Sequence, residues 1–233
     1  MRAGWCRQGD DGRVSPKPVA VYLEVAPRRV FACSVDWPGW CRSGKNEDEA
    51  LQALADYAQR YALVAEKARV RFSVAAADRL HTVERVTGNA TTAFGAPGVV
   101  PALDAEPLTA VAARRMTQLV VAAWAVLDDV AASAPQSLRK GPRGGGRDRD
   151  PMLQHVVSAE VAYARTIDVR HKEPVLGDTA AVTALRRDIV AALRAARSGQ
   201  PARDKGWPPR YAARRIAWHV LDHAWEMTDR SER

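Results

Sequence analysis

The sequence predicts an α+β protein in which a small α/β module precedes an up-and-down bundle of four helices. Three observations predict this class. Short β-rich runs lie before residue 87, residues 88–107 carry six glycines and prolines, and the apolar residues after Pro107 recur with a helical period. The predicted organisation is a flexible arm over 1–17, the α/β module over 18–87, a linker over 88–107 and the bundle over 108–233.

The module begins with two β-rich runs, 20–25 and 30–35, which flank a turn and therefore predict a hairpin. Asn46-Glu-Asp-Glu49 then opens a helical pattern, where the acidic side chains suit the positive end of the helix dipole. Residues 69–74 and 80–86 are further strand candidates. The linker carries too many helix and strand breakers for us to predict an element within it.

Each of the four bundle helices has a start or stop signal. The first covers about 108–130, as its apolar stripe indicates. The second begins at Asp150-Pro151, an N-cap followed by proline, and extends to about 170. Asp178 caps the third, which ends at Ser198-Gly199. The fourth begins at Pro208-Pro209 and ends near 229. Helices of this length suggest an antiparallel bundle.

Composition excludes several classes of protein. No stretch of 18 apolar residues predicts a membrane span, and the polar N-terminus carries no apolar signal segment, so cytoplasm is the expected location. The three cysteines are odd in number and lack zinc-ligand spacing. The net charge is +8 with a pI near 9.8, but arginines are mixed with acids along the helices, so we do not expect nucleic-acid binding.

The sharpest chemical feature is Trp218-His219-Val220-Leu221-Asp222-His223. Residues four apart share one helix face, so His219 and His223 can present two imidazoles to one ion. His155 lies on the inward face of the second bundle helix. Three histidines leave a coordination position for water or substrate, and imidazole suits zinc, nickel, iron or copper. The alternative is that these histidines are solvated or hydrogen-bonded in the core.

Other residues near this motif receive secondary roles. Glu226 follows His223 by three residues and is a candidate fourth ligand or orienting group, or a solvated surface acid. Tyr163 and Trp218 are candidate pocket-lining aromatics, although aromatics at helical spacing are more often core. Asp222 is expected to be exposed. His81 and His171 are interpreted as structural.

On these residues, the segment from about 108 to 230 resembles the DinB/YfiT-like superfamily of four-helix metal-binding proteins. The family pattern is one histidine on the second helix and an HxxxH pair on the fourth, which His155, His219 and His223 match in order. The superfamily includes thiol-dependent S-transferases and isomerases, some dependent on mycothiol. The resemblance implies one divalent metal (zinc, nickel or iron) and a low-molecular-weight thiol, with the basic loop Arg139 to Arg149 receiving an anionic co-substrate.

The segment of about 20–87 resembles the partial HicB-type fold. Tyr22-Leu-Glu-Val25, the run Phe31 to Gly39 and the turn Trp37-Pro-Gly-Trp-Cys41, close to a family "PGC"-like turn, carry this resemblance. HicB proteins are antitoxins that often have a separate DNA-binding part, and the sequence shows no helix-turn-helix or ribbon-helix-helix. We therefore expect the module to pack on the bundle or to mediate formation of a homodimer.

The sequence leaves three functions open. The first is a metal-dependent transferase or hydrolase acting on a small thiol or electrophile. The second is a non-catalytic binding or stress-response module with a structural metal, because no nucleophile or general base stands out besides the metal. The third is a HicB-like nucleic-acid-associated regulator, which would bind duplex DNA in a salt-dependent manner.

Overall fold

The computed structural model describes residues 18–141 and 145–231, so the predicted arm over 1–17 lies outside the described residues. The elements follow the predicted order, strands first and long helices last. They are β1 (Val19–Ala26), β2 (Arg29–Ser34), β3 (Cys41–Gly44), α1 (Glu47–Asp56), α2 (Ala58–Lys67), a 3₁₀ turn (Val74–Arg79), β4 (Leu80–Thr87), α3 (Ala90–Phe94), a second 3₁₀ turn (Ala102–Ala105), α4 (Ala110–Ser133), α5 (Arg149–Thr166), α6 (Thr179–Ala195) and α7 (Pro209–Ser231).

The strands form one mixed sheet in the order β3-β2-β1-β4. The predicted hairpin is confirmed: β1 and β2 pair antiparallel, and β4 lies parallel to β1 on its other side. The predicted strand over 69–74 is wrong, because Arg69 has a positive φ of 53° and the chain then enters a 3₁₀ turn at Val74. We missed β3, which is four residues long and too short to show an alternating pattern.

The helix predicted after Asn46 is confirmed as α1, and Asn46 caps it. The Asn46 side chain accepts a hydrogen bond from the Glu49 amide at 2.8 Å, and the Glu49 carboxylate accepts from the Lys45 amide at 3.0 Å. These bonds satisfy donors that the first turn of a helix leaves unpaired. The chain bends at Tyr57 and continues as α2.

The linker holds more structure than its composition predicts. Asn89 caps α3 through a capping box, so the expectation of no element here is wrong. The buried carboxylate of Glu24 on β1 accepts hydrogen bonds from the amides of Gly98 at 2.8 Å and Val99 at 3.2 Å. These bonds fix the linker along the sheet because a buried carboxylate without partners would be costly.

The four helices predicted after residue 107 are present with shifted ends. α5 ends at Thr166 rather than near 170, since Asp168 takes a positive φ of 62° that no helix continues. α4 packs against α6 and α7, and α5 packs against α7. α7 is buried along most of its length. Because of this central position, a polar side chain on a buried face of α7 contacts a neighbouring element such as α4 or α5.

The module packs directly on the bundle through one continuous hydrophobic cluster. That cluster joins Leu54 and Val64 of the module with Leu119 and Leu221 of the bundle. The turn before β3 lies against α7: a Cβ built on Gly39, whose φ is +91°, would lie 2.6 Å from Leu221 Cδ1. Glycine is therefore required there both by backbone conformation and by close packing.

α4 has the length and composition of a membrane-spanning helix. An 18-residue window within its 24 residues has a mean hydropathy of 1.3, but 56% of that window is buried within the fold. A core helix of a bundle satisfies the same test. This helix is weak evidence for a span, and the expectation of no membrane span stays a prediction.

Candidate metal centre

The fold brings His155 of α5 together with His219 and His223 of α7. One ring nitrogen from each of these three residues, which we call the histidine cluster, lies within 4.8 Å of the others. His219 and His223 are one helical turn apart, and their ring centroids are separated by 4.6 Å. The His155 ring lies 5.1 Å from His219 and 5.0 Å from His223 because α5 packs against α7.

The spacing of one pair of ring nitrogens suits a tetrahedral metal. The Nε2 atoms of His155 and His219 are 3.3 Å apart. Two imidazole nitrogens at ~2.05 Å from a tetrahedral zinc ion would lie about 3.3–3.4 Å apart. The same distance also allows a long hydrogen bond between the two rings, in which one Nε2 donates to the other. The arrangement can therefore hold a divalent ion with three protein ligands.

Burial and neighbouring positive charge lower the pKa of two of these imidazoles, those of His155 and His219, and so favour their neutral form. His219 is 7% exposed, and burial, followed by His223, Arg215, His155 and Arg147, lowers its pKa to about 2. Burial and Arg147 also lower the pKa of His155. Among the described residues, none forms a hydrogen bond with the buried Nδ1 of His219. A neutral imidazole is the form that binds a metal.

Glu226 is placed to orient His223. The Nδ1 of His223 donates to the Glu226 carboxylate at 3.0 Å, and Arg230 lies 3.1 Å from the other carboxylate oxygen. The hydrogen bond from His223 is the main reason that the pKa of Glu226 is lowered. This tautomer leaves the Nε2 lone pair of His223 for the cluster, as in carboxylate–histidine–metal arrangements. The geometry favours an orienting role for Glu226 over that of a fourth ligand.

The two predicted pocket aromatics lie on different sides of His219. Tyr163 of α5 contacts His219 edge to face, with ring centroids 5.6 Å apart. Trp218 instead packs against the sheet, where it meets Phe31 edge to face at 6.0 Å within a second hydrophobic cluster. Consecutive helical residues point about 100° apart, which explains why Trp218 leaves the histidine side.

Sequence reasoning missed Arg215. Its guanidinium lies 5.1 Å from the Tyr163 ring and 4.6 Å from the Trp218 ring, and its charge lowers the pKa of His219. The sequence did carry a signal: Arg215 lies four residues before His219 on the same helix, and residues at this spacing share a face.

The basic loop is partly described. Arg147 acts electrostatically on the histidine cluster, whereas Lys140 and Arg149 pair with Asp148 and Asp150. Arg143 lies outside the described residues. Of the loop's cations within the described residues, Arg147 is therefore the one that acts on the cluster.

The remaining candidates lie apart from the cluster. Asp222 is 39% exposed in its side chain and pairs with Arg42 of β3 at 2.9 Å. His171 Nε2 lies 2.9 Å from the Asp188 carboxylate, and His81 is exposed on β4. The contact with Asp188 gives His171 a structural partner, and the structural interpretation of His81 stays a prediction.

A second buried polar group links α4, α5 and α6. Glu160, 1% exposed, accepts a hydrogen bond from Trp124 Nε1 at 2.8 Å and from Arg186 Nε at 3.1 Å. Arg186 also reaches Asp128 at 3.4 Å. Burial raises the pKa of Glu160, while Arg186 and Trp124 lower it. We call these four residues the Glu160 network.

No family model, curated protein sequence or solved structure matches this chain significantly. The resemblances to the DinB/YfiT-like and HicB-type families therefore rest on the residue patterns alone. What the structure adds is the spatial convergence of the histidines, which is independent of any relative.

Proposed function

We propose that the protein binds one divalent metal ion through His155, His219 and His223 and uses it in thiol-dependent transfer chemistry. The observation that supports the proposal is the convergence of three imidazoles between α5 and α7, of which His219 is buried and His155 and His223 are partly buried. Structural zinc sites use four protein ligands, whereas three ligands keep a position open. Three ligands therefore favour a reactive centre over a purely structural one.

The residues around the cluster suit an anionic reactant. A divalent metal, when bound, lowers the pKa of a coordinating thiol so that the nucleophilic thiolate predominates. Arg147 and Arg215 supply positive charge beside the histidines. Glu226 holds His223 in one tautomer, and Tyr163 covers one side of His219 with an aromatic edge. The substrate would be a low-molecular-weight thiol together with an electrophile.

The first test is the metal content of the purified full-length chain. We expect about one zinc, nickel or iron ion per chain, and its loss in the double variant His219→Ala, His223→Ala. His81→Ala is the matched control, because His81 is exposed on β4. Absence of metal, with no uptake from supplied zinc, nickel or iron, would leave the histidines as core residues and reject the proposal.

The second test separates a reactive metal from a structural one. Cobalt(II) substituted for the native metal should show a new thiolate-to-metal absorption band when a small thiol is added. The competing function is a binding module whose metal is closed off by Glu226 as a fourth ligand. An unchanged spectrum at saturating thiol would favour that module.

A further inference from the structure

A groove of about 750 Å³ lies between the α/β module and the N-terminal halves of α4 and α7. We call it the arginine groove, because its lining includes Arg71, Arg115, Arg210 and Arg214 as well as Trp37 and Met116. The volume is in the range typical of small-molecule sites.

The arginine groove is separate from the histidine cluster. Arg210 and His219 are nine residues apart on α7, so they lie on roughly opposite sides of the helix and about 13 Å apart along its axis. None of the three histidines lines the groove. A ligand of the groove would therefore not need the metal.

Positive charge in the groove exceeds the negative charge that neutralises it. Arg214, 5% exposed, forms an ion pair with Asp104. Arg115 donates to the backbone carbonyl of Asp36. Among the described residues that line the groove, Asp36 is the acidic one. Arg71 is exposed, and one Nη of Arg210 donates to the Pro107 carbonyl at 3.1 Å.

Two buried donors in the lining have no partner. The Nε atoms of Arg210 and Arg214 are buried and form no hydrogen bond within 18–141 and 145–231. A buried guanidinium donor without an acceptor costs free energy. The two Nε atoms are out of solvent reach, so an anion in the groove would first meet the exposed guanidinium of Arg71. The first turn of α4 reaches the same groove through Ala112, and its helix dipole also favours an anion.

The groove also has an apolar wall. Met116, Ala76 and Val19 line it, and the guanidinium carbon of Arg115 lies 4.0 Å from the centroid of the Trp37 ring. Such a stacked cation holds the Trp37 ring and the Arg115 fork in fixed positions. The lining therefore combines apolar surface with a fixed set of cationic donors.

We propose that the arginine groove binds a small organic anion whose phosphate or carboxylate group contacts Arg71 and Arg210 and whose apolar part lies against Trp37 and Met116. The proposal stands without the metal site. Phosphate and carboxylate share the acceptor geometry that arginine prefers, so the experiment compares both headgroups on the same aromatic ring.

The test is isothermal titration of the full-length protein with phenyl phosphate and with benzoate. We expect saturable binding of at least one of them, with benzyl alcohol as a neutral control that binds much more weakly. Arg71→Gln and Arg210→Gln should each weaken binding roughly tenfold, the cost of one charge-assisted hydrogen bond. Arg71 is exposed, so its variant tests the proposal even if the Arg210 variant is unstable.

Two matched variants locate the binding. Arg187→Gln removes an exposed arginine of α6 and should leave the dissociation constant unchanged. His155→Ala should also leave it unchanged, since the groove lining does not include the histidine cluster. No saturable binding of either anion, equal affinity in Arg71→Gln, comparable binding of benzyl alcohol, or loss of binding in His155→Ala would each overturn the proposal.

Discussion

Two buried polar groups lie in the same bundle, and they differ in how completely their atoms are paired. In the Glu160 network, both carboxylate oxygens of Glu160 accept hydrogen bonds from Trp124 or Arg186. In the histidine cluster, three imidazoles face one another, and the Nδ1 of His219 has no partner among the described residues. Both groups include a residue of α5, Glu160 in the first and His155 in the second.

We assign the fully paired Glu160 network to the stability of the fold and the histidine cluster to ligand binding. Buried polar atoms in folded proteins are almost always hydrogen-bonded, and a buried group that is not needs an explanation. A fully paired network stabilises one packing of the helices around it. A set of bases that is only partly paired can gain its remaining partners from a ligand, and perturbed titratable groups collect at functional sites.

The largest expected effect belongs to the Glu160 network. Glu160→Ala leaves the buried Arg186 guanidinium without its main partner, and we expect about 3–5 kcal/mol less stability. Chemical denaturation measures this change, and metal content per folded chain should stay the same. Glu66→Ala, at an exposed position of α2, is the control and should change stability by less than about 0.5 kcal/mol. A loss below about 1 kcal/mol in Glu160→Ala would show that the network is dispensable.

Removal of the metal should affect stability through the histidine cluster and not through the Glu160 network. A metal that binds only the folded chain adds about 2.7 kcal/mol of stability at one hundred times its dissociation constant. We therefore expect a chelator to lower the thermal midpoint of the wild type. The double variant His219→Ala, His223→Ala should show no such shift, whereas Glu160→Ala should keep it. A midpoint that a chelator leaves unchanged in the wild type would contradict the assignment.

Glu226→Gln refines the comparison, because Glu226 is the one described carboxylate that contacts the cluster directly. Loss of a carboxylate that orients a histidine ligand typically weakens metal binding 10–100-fold. Metal competition with a chromophoric chelator measures the affinity. Glu173→Gln, an exposed acid after α5, should leave it unchanged. Complete loss of the metal would instead indicate that Glu226 is itself a ligand.

The long helices and the histidine motif could be predicted because their signals are local. Caps at Asp178 and prolines at 208–209 mark helix ends, and the i, i+4 spacing of His219 and His223 fixes a shared face. Assigning His155 to the same site used the inward face of its helix. The structure brings it within 4.8 Å because α5 and α7 pack together.

What could not be predicted depends on contacts between distant segments. β3 is too short for a pattern and exists because β2 offers it a pairing edge. α3 depends on the Asn89 cap within a stretch dense in breakers, and Glu24 holds the following loop from another element. Trp218 faces the sheet because the module packs on that side of α7, which no helical period reveals.

The smallest expected effect concerns Asp222, which is next to His223 in sequence but belongs to neither buried group. Its carboxylate pairs with Arg42 of β3 at 2.9 Å, with 39% of the Asp222 side chain exposed. The Arg42 side chain is 14% exposed, but the Asp222 carboxylate remains open to solvent, so we expect the pair to contribute about 1 kcal/mol. Asp222→Asn should therefore lower stability by about that amount in chemical denaturation and leave metal affinity unchanged. A larger loss would mean that this ion pair, rather than the apolar cluster around Leu54 and Leu221, holds the module on α7.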